Sequence, residues 1–233
     1  VRPEDRQGRV IDDPNLRDQE YGLEDREEAG RRLAAWLAPY RGSEALVLAI
    51  PAGGVPVAAA IAGALHLSLD LILVRKVQIP WNTEAGFGAV APDGKAIFNE
   101  RLLAYLNLSE AQVQAQVAKT RQVLAAREEK FRGGRPYPEM RGRTLIIVDD
   151  GLASGYTMLA ALEFVGRRQP AKIVVAVPTA LRETIEKILP RVDEVVCLNV
   201  RHRTPFAVAA AYRNWYDLGD DEVLEILAKV ADI

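Results

Sequence analysis

The chain has 233 residues, 49% hydrophobic and 27% charged, the balance of an ordinary globular protein long enough to bury a core without staples. A formal net charge of −2 gives none of the bulk basicity that drives nucleic-acid binding, and no apolar stretch is long enough to span a bilayer. One cysteine, Cys197, excludes an intramolecular disulfide, and its setting in VVCLNV reads as a buried structural thiol.

Residues 1–21 are charged, contain two prolines and lack the apolar middle of a secretory signal, so a polar N-terminal arm on a cytoplasmic protein is expected. From Asp25 to Leu37, Ala29, Leu33, Trp36 and Leu37 recur at helical spacing. EALVLAI is an apolar run bounded by Gly42 and Pro51, as expected of a strand buried on both faces. GGVPVAAAIAGALH follows as a glycine turn feeding a helix. LDLILVRK reads as a second strand, and FGAVAPDGKAIFN as two short strands turning at Pro92 to Gly94. Ser109 to Phe131 predicts a long helix with an N-cap at Ser109 and a stop at Gly133–Gly134, partly solvated because its apolar positions are sparse. Strand LIIV, helix YTMLAALEFVGRR, strand AKIVVAV, helix ALRETIEKIL, strand VDEVVCLNV and helix DEVLEILAKV complete the chain. Strands alternating with helices predict an α/β fold with a mostly parallel, Rossmann-like sheet of about five strands covered on both faces. No internal repeat or linker divides residues 22–233, which read as a single domain.

The stretch LIIVDDGLASGYT, residues 145–157, carries the chemistry. A buried strand finishes in Asp149 and Asp150, at the sheet edge where open α/β sheets bind ligands. Ionised carboxylates only accept hydrogen bonds, and a sugar's vicinal hydroxyls are a natural donor pair for them. Ala153, Ser154, Gly155, Tyr156 and Thr157 then open a helix with backbone N–H groups, hydroxyls and a positive dipole end, which is a phosphate site. The spacing describes a clamp for ribose 5-phosphate.

This stretch resembles the phosphoribosyl pyrophosphate (PRPP) motif of the type I phosphoribosyltransferases, with Gly151 where that family usually has an aliphatic residue. The segments DREEAG, GGVPVA, VRK, NTEAGFGAV and VDDGLASG are similar to a little-characterised branch of it, over roughly residues 22 to 230. The resemblance implies a pentosyltransferase that moves the 5-phosphoribosyl group from PRPP to a nitrogen acceptor and releases pyrophosphate. Asp149, Asp150 and Lys76 would be its catalytic residues, with Mg²⁺ held near the two aspartates through the substrate. It implies pyrophosphate binding by Ala52, Gly53, Gly54, Arg75 and Lys76, with a cis peptide at Ala52–Gly53. Ala52 stands where the branch carries arginine. VQIPWNTEAGFGAV would be a mobile loop covering the substrate, with Trp81, Asn82 and Glu84 its most unusual residues; Trp81 reads equally as a packing anchor.

RHRTPFAVAAAYRNWYDLGDDEV resembles the hood over the acceptor base, with Phe206 at the stacking position. Trp215 would bind the acceptor or simply pack the hood. His202 reads as a surface or hydrogen-bonded residue, and His66 carries no functional case. The family's 6-oxopurine members carry an acid at the Ala153 position and a lysine near Thr179; this chain has neither, which disfavours hypoxanthine and guanine as acceptors. The expected partners are therefore PRPP and an unidentified small acceptor, with no nucleic acid or membrane, and a homodimer as in many relatives. The alternative is a regulatory protein that senses PRPP or a nucleotide on the same fold without turnover.

Overall fold

Leu46–Ala49 (β2) and Glu194–Arg201 (β9) are buried at every position, Thr144–Val148 (β7) everywhere but Thr144, and Lys172–Leu181 (β8) everywhere but its two ends. Such strands need cover on both faces. In the computed structural model, which describes residues 6–231 apart from the side chains of Glu84 and Ala231, they form the centre of a parallel sheet. Arg9–Asp12 (β1) and Ser68–Leu71 (β3) are its edges, and the order is β1-β9-β8-β7-β2-β3.

Alternate residues of each strand enter opposite core layers, as a period of two requires. Val47, Ile146, Val174 and Val196 meet the helices Arg26–Trp36 (α1), Gly54–Leu65 (α2) and Asp220–Ala231 (α7) on one face. Leu48, Ile147, Val175 and Cys197 meet Tyr156–Gly166 (α5) and Arg182–Ile188 (α6) on the other. Cys197 is buried there, and burial pushes its thiol pKa up, as for an inert structural cysteine.

The sheet has six strands where about five were expected, because part of the expected arm is a strand. β1 pairs in parallel with β9, and Arg9 reaches Glu194 at 2.6 Å while Arg6 pairs with Asp193. Residues 1–5 of the arm lie outside the described residues. Trp36 is exposed, because α1 and the residue after it bury a stripe spaced by four, Ala29, Leu33 and Leu37.

The expected strand LDLILVRK is two. β3 stays in the parallel sheet, and Arg75–Ile79 (β4) joins Asn82–Val90 (β5) and Ala96–Phe98 (β6) in a small antiparallel sheet. The segment expected as a mobile loop is thus largely a β-hairpin. Its apolar residues Val77, Ile79, Phe87 and Ala89 are buried, and Phe87 stacks on Phe98 at 6.0 Å, which ties it to the core. Glu100–Leu106 (α3) follows, capped by Asn99. Glu110–Arg132 (α4) has the expected Ser109 cap, completed by Gln112 into a capping box, and ends at Gly133 with φ of 53°. It packs along β4.

Candidate active site

The order reverses between β2 and β7: the chain leaves β2 toward β3 and leaves β7 toward β8 and β9. Open α/β sheets take ligands at the carboxyl ends flanking such a point. Ala49 and Val148 are ladder partners, and Ile50 N–H donates to Val148 O at 2.9 Å. The glycine turn and the two aspartates therefore leave the sheet side by side.

That closeness explains the glycines. A Cβ on Gly53 would lie 1.8 Å from Asp150 Oδ2, and one on Gly54 2.6 Å from Val148 O. The cis peptide joins Pro51 to Ala52, one bond earlier than the resemblance implied, because the chain is already helical at Gly53 and α2 opens at Gly54.

Asp150 is held from three sides. Arg26 Nε donates to its Oδ2 at 2.9 Å, Tyr212 Oη donates to its backbone oxygen at 2.6 Å, and its own N–H donates to Asp149 Oδ1 at 2.9 Å. Arg26 is 5% exposed, donates to Tyr216 O at 2.8 Å, and lies 3.8 Å over the Trp215 ring. Burial pushes the Asp149 carboxyl well up, reinforced by the charge of Asp150. Burial also raises Asp150, but Arg26 opposes it. Burial thus lifts both carboxyls, Asp149 the more because Asp150 adds like charge, while the Arg26 guanidinium holds the rise at Asp150 in check.

The 153–157 loop is braced by α6. Gly155 has φ of +79°, and a Cβ there would meet Thr184 at 2.5 Å. Thr184 donates its hydroxyl to Ala153 O, and Lys187 Nζ donates to Ser154 O at 3.0 Å. Gly155 provides no capping side chain to α5, so the first-turn N–H groups remain for a ligand. Gly155, Tyr156 and Thr157 line a cavity of about 390 Å³ with Ser154, Lys76 and Val208. Val208 also explains Gly151, where a Cβ would lie 2.5 Å from its Cγ1. Val208 thus fills the space of the missing aliphatic side chain.

A second cavity of about 240 Å³ shares Lys76 and Thr157 with the first, and is lined also by Pro51, Arg75, Arg127 and Asp149. Arg75 donates no side-chain hydrogen bond among the described residues, and burial followed by the charge of Arg127 pushes its pKa down. A larger cavity, about 720 Å³, lies at the outer edge by β3 and α7, away from both strand ends.

The structure therefore brings together Asp149, Lys76, Arg75 and the 153–157 loop at the two cavities, with Asp150 and Gly53 in the wall behind. Trp81 stands 65% exposed at the hairpin turn, and Asn82 Oδ1 accepts from Ala85 N–H; neither lines these cavities. The Glu84 side chain lies outside the described residues. Phe206 is half-buried just after a cis Thr204–Pro205 bond, outside both cavity walls, and Trp215 packs on Tyr212 and Arg26. His202 is exposed, 2.9 Å from Asp18. Sequence reasoning missed Arg26, Arg127, Tyr212 and Val208. Arg26 did carry a signal: a cation in the first turn of a helix opposes the macrodipole and calls for an acid elsewhere.

A doubly wound sheet with a glycine-opened helix and paired acids at adjacent strand ends is an α/β protein built to take ligands at its carboxyl edge. The chain belongs to the phosphoribosyl transferase domain family, whose model matches residues 21–211. It is 39% identical over 208 residues to the Mycobacterium tuberculosis protein named "Putative phosphoribosyl transferase Rv0571c" and to its counterpart in a second strain, covering 88% of this chain. The chain spans about half the length of these curated relatives, 46%. It is also similar to the crystal structure of TT1426 from Thermus thermophilus, at 39% identity and a TM-score of 0.71, over 89% of this chain and 98% of that one.

Proposed function

We propose that this chain transfers the 5-phosphoribosyl group from PRPP to a nitrogen acceptor, a nucleobase or similar ring, with release of pyrophosphate. The observation that carries the reading is the meeting of two cavities at Lys76 and Thr157, one against a helix N-terminus and one lined with cations. That is the arrangement a sugar bearing a phosphate at one end and a pyrophosphate at the other requires.

In this reading Asp149 and Asp150 hold the ribose hydroxyls. The N–H groups and hydroxyls of residues 153–157 hold the 5-phosphate. Ala52, Gly53 and Gly54, with Arg75 and Lys76, hold the pyrophosphate. The bond from the anomeric carbon to pyrophosphate oxygen breaks with its electron pair on the leaving group. The acceptor nitrogen supplies the pair for the new bond and then loses its proton. Positioning and fixed charge supply the catalysis, with no covalent intermediate on the enzyme. The hairpin bearing Trp81, Asn82 and Glu84 covers the site, and Phe206 and Trp215 belong to the acceptor side.

Among the described residues no group of three or more His, Cys, Asp or Glu could hold a metal ion alone. Two carboxylates at a strand end fit Mg²⁺, which takes one or two protein carboxylates together with substrate phosphates. Held near Asp149 and Asp150 through the substrate, it would supply neutralising charge to pyrophosphate.

The test is pyrophosphate release from PRPP and Mg²⁺ across a panel of free bases and small amines. The expected result is release with one acceptor, reduced about a hundredfold or more in the Asp149→Asn, Asp150→Asn double variant. PRPP binding without release for every acceptor would transfer the site to the regulatory reading. No PRPP binding would end the transferase reading and the PRPP-sensing one.

A further inference from the structure

One cation of the smaller cavity has no role in that scheme. Arg127 enters from α4, a helix whose sequence suggested only packing, and its side chain is 16% exposed. Its Nη2 donates to Asp220 Oδ1 at 2.9 Å. On the same face of α4, Lys130 pairs with Asp221 at 2.9 Å and stands 3.7 Å from Asp220. Both acids lie in the first turn of α7. Arg75, facing the same cavity without a hydrogen-bond partner among the described residues, is influenced by the charges of both Arg127 and Asp220.

Three positive side chains, Arg75, Lys76 and Arg127, thus line one small cavity, and Ala52 brings no charge to the glycine loop opposite. A guanidinium fork suits a phosphate as well as a carboxylate, and a phosphate presents more charge. Asp220 is one-third exposed at the rim, so it can turn to water once Arg127 has another partner. The exchange need not undock α7, since Val223 is fully buried in the core and holds the helix independently.

Resting on the transferase reading, we propose that Arg127 binds the pyrophosphate group of the ligand, and that Asp220 occupies Arg127 in the ligand-free protein as a built-in competitor. Pyrophosphate entry replaces the carboxylate on the guanidinium. The start of α7 thereby sets the affinity of the site and reports its occupancy.

The probe is inorganic pyrophosphate with Mg²⁺, titrated by calorimetry into the full chain. Arg127→Gln is expected to weaken binding about tenfold or more, as loss of a charge-assisted contact does. Asp220→Asn is expected to tighten it about threefold to tenfold, by removing the competitor. Because both act through one guanidinium, the gain from Asp220→Asn should vanish in the double variant. Asp221→Asn, which removes an exposed tie between α4 and α7 outside the cavity wall, should leave the affinity unchanged. Thermal melts check that each variant is folded; if Arg127→Gln is not, Asp220→Asn decides alone. Equal pyrophosphate affinity in wild type and Asp220→Asn would overturn the inference and reduce the pair to a strut. If PRPP still binds in a manner dependent on Asp149 and Asp150, the transferase reading survives that result. A chain that binds neither pyrophosphate nor PRPP removes both.

Discussion

Two guanidinium groups reach the carboxyl edge of the parallel sheet from opposite sides, and their surroundings differ completely. Arg26, on the α1 side, is ion-paired to Asp150, bonded to Tyr216 O and stacked on Trp215. Arg75, on the β4 side, has no hydrogen-bond partner among the described residues and faces a second arginine across a cavity. A protein that builds only for stability pairs its partly buried cations. The contrast says that Asp150 and its cation complete each other within the chain, while Arg75 is not completed that way among the described residues.

The sharpest way to break this comparison is Arg26→Met, which keeps the apolar stem over Trp215 and removes the charge. It leaves Asp150 buried without its partner, and breaking such a pair costs about 3–5 kcal/mol. Urea unfolding should show that loss, and adding Asp150→Asn should recover part of it. A loss below about 1 kcal/mol would mean that water already screens the pair and that the α1 side is no more committed than the β4 side.

Packing gives a second, smaller effect on the same side. Gly53→Ala places a methyl 1.8 Å from Asp150 Oδ2. The carboxylate cannot yield without leaving Arg26, so a destabilisation of about 1–3 kcal/mol is expected. Gly63, in the same helix, is the control, because a methyl added there meets no atom within 4 Å. There Ala should stabilise by about 0.5–1 kcal/mol through helix propensity. Shifts of the reverse sign at the two positions in thermal melts would show that the glycine turn is looser than its distances.

The aspartate pair adds a pH signature. Asp149 has its pKa raised in the fold, by burial first and Asp150 second. As pH rises past the ordinary aspartate value, the unfolded chain releases this proton before the folded one does. The associated stability is therefore complete at low pH and is lost as pH climbs through the raised value. The loss runs to about 1.4 kcal/mol per pH unit at most. Asp149→Asn should flatten that part of the stability curve of the ligand-free protein. Parallel curves for the two proteins would place Asp149 in water.

Much of this site was legible in the sequence because local pattern and location coincide. Four apolar residues followed by Asp149 and Asp150 read as a buried strand ending at the carboxyl edge of the sheet, and Gly155 marks the turn into α5. The long helix was legible from its caps at Ser109 and Gly133. What stayed hidden depends on residues far apart in the chain. RVID is a strand because β9, some 185 residues later, offers an open edge and acids for Arg9. The hairpin looked like a loop because Gly86 and Gly88 dilute its alternation; those glycines are there because a Cβ would lie 2.2 Å from Lys76 Cγ and 2.3 Å from Ile97 O. Arg127 was invisible because nothing within α4 distinguishes a solvated cation from one facing a cavity.

The smallest expected effect on stability tests the other side of the comparison. Arg75→Met retains the stem but deletes a desolvated charge that faces Arg127. No hydrogen bond among the described residues is lost, so the ligand-free protein should unfold within about 0.5 kcal/mol of wild type. Pyrophosphate binding should nevertheless fall about tenfold, as loss of a charge-assisted contact implies. The pairing of these two results carries the argument. A residue kept for the fold loses stability when it is replaced; one kept for a ligand loses affinity alone. Arg26→Met and Arg75→Met, measured side by side in urea and by calorimetry, should fall on opposite axes. If Arg75→Met proves as destabilising as Arg26→Met, the cation has a partner in the fold after all, and Arg75 is not kept for a ligand.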